Sequence, residues 1–448
     1  MRLELTEKNL NKNIFKLSIP IIIENVLHLG VFMSDTIMVG RLGTAPIAAV
    51  GLAGTIFFIV SMVFSSFNIG ATSIVARHTG AREYESAQII AGQAILMSSV
   101  IGVTVTPFLF LFAQKILLLM GAEANVVALG KGFLQIVSGS LFFRLIVLTC
   151  NAILRGAGDT RTPMKITLVI NCVNIPLNWL LIFGIGPFPE LGVSGVAWST
   201  VIAYGIGAVL LYTGLFSGRY AVRVSLRHVA QIRIDSMWRI IRISTPAAID
   251  AALTHTGYLF FTKIVTLLGT VPLAAHQIAV RVEAMSFMPG FALAISTATL
   301  VGQSLGKKDP QLALLSMRRS CLFALIFMGS FGLLFLAIPE KIAMIFNPEE
   351  RVLSLASICI MIAAIEQPAL AIYMVYAGGL RGAGDTLSPM IITVVGTLIF
   401  LAPLAYFFGI VLGWGLSGVW FGAAIDWIGR AAAVYILYRR GRWKRIKV

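Results

Sequence analysis

Charged residues are scarce in this sequence. Asp, Glu, Lys and Arg make up 12% of the 448 residues, whereas a typical soluble domain contains roughly 25%. Apolar stretches of about 20 to 30 residues recur along the whole chain, and each is long enough to cross a hydrocarbon core of about 30 Å as a helix. The composition therefore excludes a soluble globular protein and predicts an all-α polytopic membrane protein.

Motifs for metal binding and catalysis are missing as well. Cys150, Cys172, Cys321 and Cys359 form no Cys-x-x-Cys pair, so we interpret them as small apolar core residues rather than metal ligands. The sequence has no Gly-x-x-x-x-Gly-Lys-Ser/Thr loop to hold ATP phosphates. We therefore predict that the protein is not an enzyme, has no cofactor and uses an ion gradient as its energy source.

Twelve transmembrane spans are predicted from the apolar stretches and the Gly, Pro, Asn and Asp clusters that interrupt them. The first is too long for the apolar part of a signal peptide, so we expect it to remain in the protein. The predicted spans cover residues 14–39, 47–76, 88–113, 124–153, 163–185, 191–217, 237–268, 273–303, 313–338, 350–378, 389–412 and 416–438.

Lys and Arg concentrate near the N-terminus, in alternate loops and in the C-terminal tail. Because loops rich in these residues stay in the cytoplasm, both termini are expected there, in a bacterial inner membrane. Topology and contact with anionic membrane lipids account for the net charge of +16. No nucleic-acid partner is needed to explain it.

The chain repeats itself. Leu-Arg-Gly-Ala-Gly-Asp-Thr occupies residues 154–160 and again 380–386, an offset of 226 residues that also relates Pro20 to Pro246. Six spans per half predict two parallel six-helix bundles with pseudo-twofold symmetry. The expected division is an N-terminal lobe at 1–217, a basic cytoplasmic linker at 218–236, and a C-terminal lobe with its basic tail at 237–448. In each heptapeptide we expect the glycines to form a turn, Arg to supply cytoplasmic charge, and Asp-Thr to cap the next helix.

This pattern resembles the MATE family of multidrug and toxic-compound extrusion transporters. The resemblance rests on the heptapeptide after the fourth span of each half and on a first span with Ser-Ile-Pro at 18–20 and Asp-Thr at 35–36. The segment from Glu366 to Gly382 looks most like the DinF-like branch. The resemblance implies a twelve-helix bundle that exports cationic or amphipathic organic compounds by antiport against protons or sodium.

Asp35 is the leading candidate for ion coupling. It lies about 9 Å from the outer end of the first span, and no basic residue occurs within one helical turn of it. Ionisable groups inside a membrane are costly and mark functional sites, and loss of water favours the neutral form of a carboxyl group. We therefore expect Asp35 to bind and release a proton. A structural hydrogen bond to a neighbouring helix is the alternative.

Three other polar residues are expected at the same depth as Asp35. Asn174 and Asn178 lie four residues apart on one face of the fifth span, and Thr200 lies in the outer half of the sixth. The resemblance implies that these residues and Asp35 form the cation site of the N-terminal lobe. Some relatives have a second Asp at the position of Asn178, so its absence here favours a proton over sodium.

The second half offers other ionisable groups. The resemblance places the carboxylates of sodium-coupled relatives roughly at Thr254 and Leu370, which weakens a sodium site in this half. Glu366 lies one turn away and is a candidate for contact with a substrate or a cation. Neighbouring charges are expected to neutralise each other in two pairs. These pairs are Arg281 with Glu283, and Asp426 with Arg430.

A soft, adaptable substrate pocket is predicted from methionine and phenylalanine, because methionine repacks around varied shapes. Ordinary packing is the alternative for each residue. The candidates are Met33, Met38, Phe57, Phe58, Met62 and Phe64. The full prediction is a monomeric proton-driven exporter of organic cations or amphipathic drugs.

Three other functions remain open. Sodium could replace the proton as the coupling ion. A lipid or lipid-precursor flippase would favour an arginine-lined cavity for a phosphate group, and Arg144 and Arg281 are the deep candidates for that role. A channel would more naturally show symmetric polar linings.

Overall fold

The computed structural model describes residues 3–446, a region that is almost entirely helical and contains no β-strand. The first half contains α1 (Leu10–Gly40), α2 (Thr44–Ser66), α3 (Asn68–Gly80), α4 (Tyr84–Leu119), α5 (Ala124–Gly156), α6 (Arg161–Phe183), α7 (Val193–Phe216) and the short α8 (Leu226–Ala230). The second half contains α9 (Ile234–Thr266), α10 (Thr270–Gly306), α11 (Pro310–Ala337), α12 (Pro339–Met344), α13 (Glu350–Gly382), α14 (Leu387–Val395), α15 (Ala402–Tyr406) and α16 (Gly415–Arg440). The π-helical segments Gly396–Leu401 and Phe407–Val411 flank α15, and a 3-10 turn, Arg442–Arg445, follows α16.

Eleven helical segments in the described part of the chain are long and apolar enough to cross a membrane. The pair α2 and α3 forms one of them, and residues from α14 to the second π-helical segment form another. The remaining predicted span, 237–268, corresponds to α9, which has 33 residues. Helix α9 is not one of the eleven segments. It carries several charged residues, among them Arg239, Asp250 and Lys263. The predicted all-α membrane fold is confirmed.

The helices form two compact units. The first contains Ile19–Thr79 and Glu83–Ile241, and the second contains Leu3–Ser18, Gly80–Arg82 and the described residues 242–446. The first residues of α1 therefore pack with the second unit, where Leu10, Ile14 and Leu17 join its core.

One long helix is central to the packing of each unit. In the first unit α5 packs against α2, α4 and α7, and in the second unit α13 packs against α10, α11 and α16. The bounds of α5 and α13 differ by the 226-residue offset of the sequence repeat. Cys150, Cys321 and Cys359 are buried as predicted, whereas Cys172 is exposed, so the prediction of a core position is wrong for that residue.

The two heptapeptides adopt the same local structure. Gly158 has a φ of 88° and its counterpart in the second copy has 89°, a conformation that favours glycine. Asp159 accepts hydrogen bonds from the backbone N–H of Thr162 at 3.0 Å and from its hydroxyl at 2.7 Å. Asp385 binds Ser388 in the same way. The aspartate thus caps the following helix, α6 or α14, as predicted.

The repeated arginine does more than supply the positive charge expected of a cytoplasmic loop. Arg155 pairs with Glu24 of α1 at 2.7 Å, and Arg381 pairs with Asp250 of α9 at 2.5 Å. Glu24 and Asp250 are themselves related by the 226-residue offset. The carboxylates are 1% and 4% exposed. Each unit therefore contains a buried ion pair that is built from the same two positions of the repeat.

The glycine after each repeated arginine lets two helices approach closely. A Cβ atom on Gly382 would overlap the backbone carbonyl of Ala298 in α10, and one on Gly156 would contact the carbonyl oxygen of Thr72 in α3 at 2.7 Å. Thr72 and Ala298 are also 226 residues apart. Only glycine fits at these contacts because the opposing atoms belong to the backbone and cannot rotate away.

We expect Gly382→Ala to lower the free energy of unfolding by about 1–3 kcal/mol, since overpacking of a tight contact costs that much. Gly329→Ala is the matched control, because a Cβ atom there meets nothing within 4 Å and alanine favours a helix. Thermal unfolding in detergent measures both variants. Equal unfolding temperatures for the two would contradict the packing argument.

Candidate functional site

Asp35 takes part in a buried polar cluster in the first unit. The Nδ2 group of Asn178 on α6 donates to Asp35 Oδ1 on α1 at 2.5 Å and to Asn174 Oδ1 at 3.2 Å. The hydroxyl of Ser199 on α7 donates to Asn178 Oδ1. Asn178 is fully buried and Asn174 is 3% exposed, whereas Asp35 is partly exposed. The Asn178 amide therefore connects side chains from three helices, α1, α6 and α7. The Asp35 carboxyl group that it binds lies at the partly exposed edge of the cluster.

No Lys, Arg or His in the described part of the chain forms an ion pair with Asp35. Its one recorded side-chain partner is the Asn178 amide. Asp35 is therefore a membrane carboxyl group held by a neutral hydrogen-bond donor. Such a group can change its charge without breaking an ion pair.

The structure places Ser199, rather than Thr200, against the cluster. The hydroxyl of Thr200 donates to the backbone carbonyl of Val196 within α7 at 2.8 Å. The hydroxyl of Ser199 also lies 2.9 Å from that carbonyl oxygen. Successive residues of a helix point about 100° apart, and it is the Ser199 hydroxyl that contacts Asn178. Sequence reasoning missed Ser199 because α7 is apolar on all sides and no periodicity in its sequence indicates which face meets α6.

The predicted methionine and phenylalanine pocket residues occupy several environments. Met38 and Phe57 are buried in the core of the first unit. Phe64 borders a cavity of about 20 Å³, and Met62 is partly buried. Two others are largely exposed. These are Met33 at 54% and Phe58 at 53%.

Glu366 lines a cavity of about 290 Å³ in the second unit. Its carboxyl group lies within hydrogen-bonding reach of that of Glu283 on α10. Thr254 and Leu370 also border this cavity. Aromatic rings form much of the remaining wall. These are Tyr258, Phe261, Phe287, Trp420 and Trp427. Arg430, which pairs with Asp426, also borders it. The cavity therefore combines two acidic side chains and one paired arginine with apolar, aromatic surfaces.

Several polar atoms around this cavity have no hydrogen-bond partner among the described residues. They are Glu366 Oε2, both ring nitrogens of His276, and Trp420 Nε1. His276 is fully buried. Buried polar atoms are normally paired, so unpaired atoms facing a cavity leave hydrogen-bonding capacity available to a ligand.

One of the two predicted charge pairs is present. Arg430 Nε donates to Asp426 Oδ2 at 2.8 Å, as expected from their spacing. The predicted neutralisation of Glu283 by Arg281 is wrong, because Arg281 is exposed and Glu283 faces the cavity with Glu366. Two residues apart on a helix, their side chains point about 200° apart.

Comparisons with known proteins agree with this architecture. The MatE family model matches residues 20–180 and 246–407. A probable multidrug resistance protein NorM from Thermotoga maritima is 31% identical over 97% of this chain and 94% of its own length. An uncharacterised transporter, YisQ, from Bacillus subtilis is 28% identical over 96% of this chain and 94% of its own length. The fold is similar to a Vibrio cholerae MATE transporter solved in its bent form, with a TM-score of 0.90, 23% identity and 98% coverage of both chains.

Proposed function

Because the chain belongs to the MatE family of multidrug efflux transporters, we propose that it exports cationic or amphipathic organic compounds in exchange for protons bound at Asp35. The observation that carries this proposal is the contact between Asp35 and the neutral amide of Asn178. A carboxyl group with this partner can exist in both charge states. The antiporter needs that property, since the same group must accept and release the coupling ion.

The orientation of Asn178 supports a proton rather than sodium. Its NH₂ group faces Asp35, and its carbonyl oxygen accepts a hydrogen bond from Ser199. Hard cations in proteins are bound by oxygen atoms. To bind sodium, Asn178 would have to turn its oxygen toward Asp35 and lose the hydrogen bond from Ser199. The hydrogen bonds of the cluster therefore suit a carboxyl group that exchanges a proton.

In the proposed cycle Asp35 takes a proton from the outside and loses its charge. The hydrogen bond from Asn178 then weakens because its acceptor is no longer charged. Helix α1 repacks against α6 and α7, and the substrate is released outside. Release of the proton to the cytoplasm restores the charge and the original contact. We further propose that the protein works as a monomer among the lipids of a bacterial inner membrane, with both termini in the cytoplasm.

We also propose that the cavity of the second unit accepts the positively charged part of an organic substrate. Aromatic faces attract cations, and the Glu283–Glu366 pair supplies one negative charge, because two carboxyl groups in hydrogen-bonding contact share a proton. Replacing both residues, Glu283→Gln with Glu366→Gln, keeps the shape of the side chains and removes that charge. A charge-assisted contact contributes about 1.5 kcal/mol, so we expect affinity for the cation tetramethylrhodamine methyl ester to fall about tenfold.

Fluorescence anisotropy of protein in nanodiscs measures this affinity. Glu340→Gln, in an exposed turn of α12, is the matched control and should leave it unchanged. If the double variant, Glu283→Gln with Glu366→Gln, also leaves the affinity unchanged, the cavity does not bind the cation through these two residues.

The coupling ion is tested in liposomes that contain purified protein. Export of the methyl ester is followed while a pH gradient and a sodium gradient are imposed separately. Export driven by the pH gradient alone is the expected result. Export driven only by the sodium gradient would show that sodium, and not the proton, is the coupling ion. Movement of labelled lipid without movement of the dye under either gradient would favour a lipid flippase.

A further inference from the structure

Arg144 is a charged residue deep within a membrane helix. It lies on α5, twelve residues before Gly156, which is about 18 Å along the helix axis from the cytoplasmic end. This distance exceeds the length over which an arginine side chain can extend toward the interface. Charges at such positions are costly and usually serve a function.

Two aromatic rings surround its guanidinium group. The Cζ atom of Arg144 lies 5.2 Å from the ring centre of Phe57 on α2 and 5.3 Å from that of Tyr204 on α7. Arginine stacks well on aromatic faces. These contacts fix the plane of the guanidinium group without using its hydrogen-bond donors.

Arg144 differs from three other arginines of the long helices, which form ion pairs. Arg155, Arg381 and Arg430 each contact a buried carboxylate at 2.5 to 2.8 Å. Arg144 takes part in no ion pair or side-chain hydrogen bond recorded within residues 3–446, and its Nε is buried without a hydrogen-bond partner. It is therefore a positioned cation with which no carboxylate of the described residues forms an ion pair.

The surroundings indicate what kind of anion fits. A guanidinium group binds carboxylates through two parallel hydrogen bonds, and the aromatic walls suit an apolar molecule that carries such a group. Tyr204 lies five residues after Ser199 on α7, about 7.5 Å along the helix. Tyr204 contacts Arg144 and Ser199 contacts Asn178, so the two polar groups border α7 about one and a half turns apart. An apolar molecule that carries a carboxylate therefore fits the guanidinium group and its aromatic walls.

We propose that Arg144 binds the carboxylate of zwitterionic, amphipathic substrates. This inference rests on the proposed export function and narrows its substrate class. Simple organic cations do not need Arg144. Compounds that combine a cationic group with a carboxylate use it as an additional contact.

Tetramethylrhodamine and its methyl ester form a suitable probe pair, because the first carries a free carboxylate and the second does not. Binding is measured by fluorescence anisotropy of the full-length protein in phosphatidylcholine nanodiscs. We expect wild-type protein to bind the zwitterion more tightly than the ester. Arg144→Gln should weaken binding of the zwitterion by about ten- to a hundredfold and change binding of the ester by less than about twofold.

Two further variants test whether the positive charge alone is sufficient and whether the loss of any arginine has the same effect. Arg144→Lys keeps the charge but loses the paired hydrogen bonds. Its affinity for the zwitterion should therefore lie between those of wild type and Arg144→Gln. Arg281→Gln removes an exposed arginine from α10 and should affect neither probe. If Arg144→Gln loses affinity equally for both probes, the proposal is overturned and Arg144 has a packing role. Equal affinity of wild-type protein for the two probes would overturn it even if Arg144→Gln does not fold.

A lipid phosphate is the competing occupant. Adding phosphatidylglycerol to the nanodiscs should leave binding of the zwitterion unchanged. If this lipid weakens that binding in wild type but not in Arg144→Lys or Arg144→Gln, the site holds a lipid headgroup and the substrate assignment falls. Export of the methyl ester under a pH gradient tests the proposed function separately, since the ester lacks the carboxylate.

Discussion

Asp35→Asn will abolish export driven by a pH gradient and leave the protein folded. Asparagine keeps the size of the side chain but cannot gain or lose a proton in the physiological range. The hydrogen bond from Asn178 Nδ2 can persist to the new amide oxygen, so the cluster stays packed. Dye export from liposomes should therefore fall to the rate of protein-free liposomes.

The matched control for this variant is Asp235→Asn, which changes an exposed aspartate at the start of α9. It should export dye at the wild-type rate. Unchanged thermal unfolding of both variants would exclude misfolding as the cause of a difference. If Asp35→Asn still exports dye against a gradient, Asp35 is not the coupling group.

Arg381→Met is expected to have the largest effect on stability. The substitution leaves Asp250, which is 4% exposed, without its partner at 2.5 Å. Removing one member of a buried ion pair costs about 3–5 kcal/mol, because the remaining charge stays desolvated. Denaturant titration of the purified protein in mixed micelles should show a loss of this size. Arg351→Met, at the exposed start of the same helix, should show almost none.

The double variant Asp250→Leu with Arg381→Met tests the reason for that loss. With both charges removed, no unpaired carboxylate remains, and much of the stability should return. A double variant as unstable as Arg381→Met alone would mean that the arginine acts through packing rather than through Asp250.

Local features of the sequence predicted much of the fold. Span length and the shortage of charge identified the membrane helices, and the heptapeptide repeat identified the two halves. The capping role of Asp159 and Asp385 was predicted from the Asp-Thr pair that precedes the next helix. These features depend on neighbours along the chain, so sequence patterns report them directly.

Contacts between distant segments were harder to predict. The spacing of Asn174 and Asn178 placed them on one face, but helix rotation decided that Ser199 rather than Thr200 reaches Asn178. Glu283 faces Glu366 from a helix more than eighty residues away. Neither periodicity nor spacing encodes such pairings.

The repeat contained a signal for the buried ion pairs that sequence reasoning did not use. Glu24 and Asp250 are related by the same offset as Arg155 and Arg381. An acid and a base that both recur at one offset indicate a contact that both copies share. The structure contains that contact in both units.

Proton release on substrate binding tests the central claim most directly. Purified protein in weakly buffered detergent is titrated with tetramethylrhodamine methyl ester while the pH of the solution is recorded. The account predicts that bound cation displaces a proton from wild-type protein, that Asp35→Asn releases none, and that added sodium does not prevent the release. Equal proton release by wild type and Asp35→Asn would show that the exchanged proton is held elsewhere and would contradict the account.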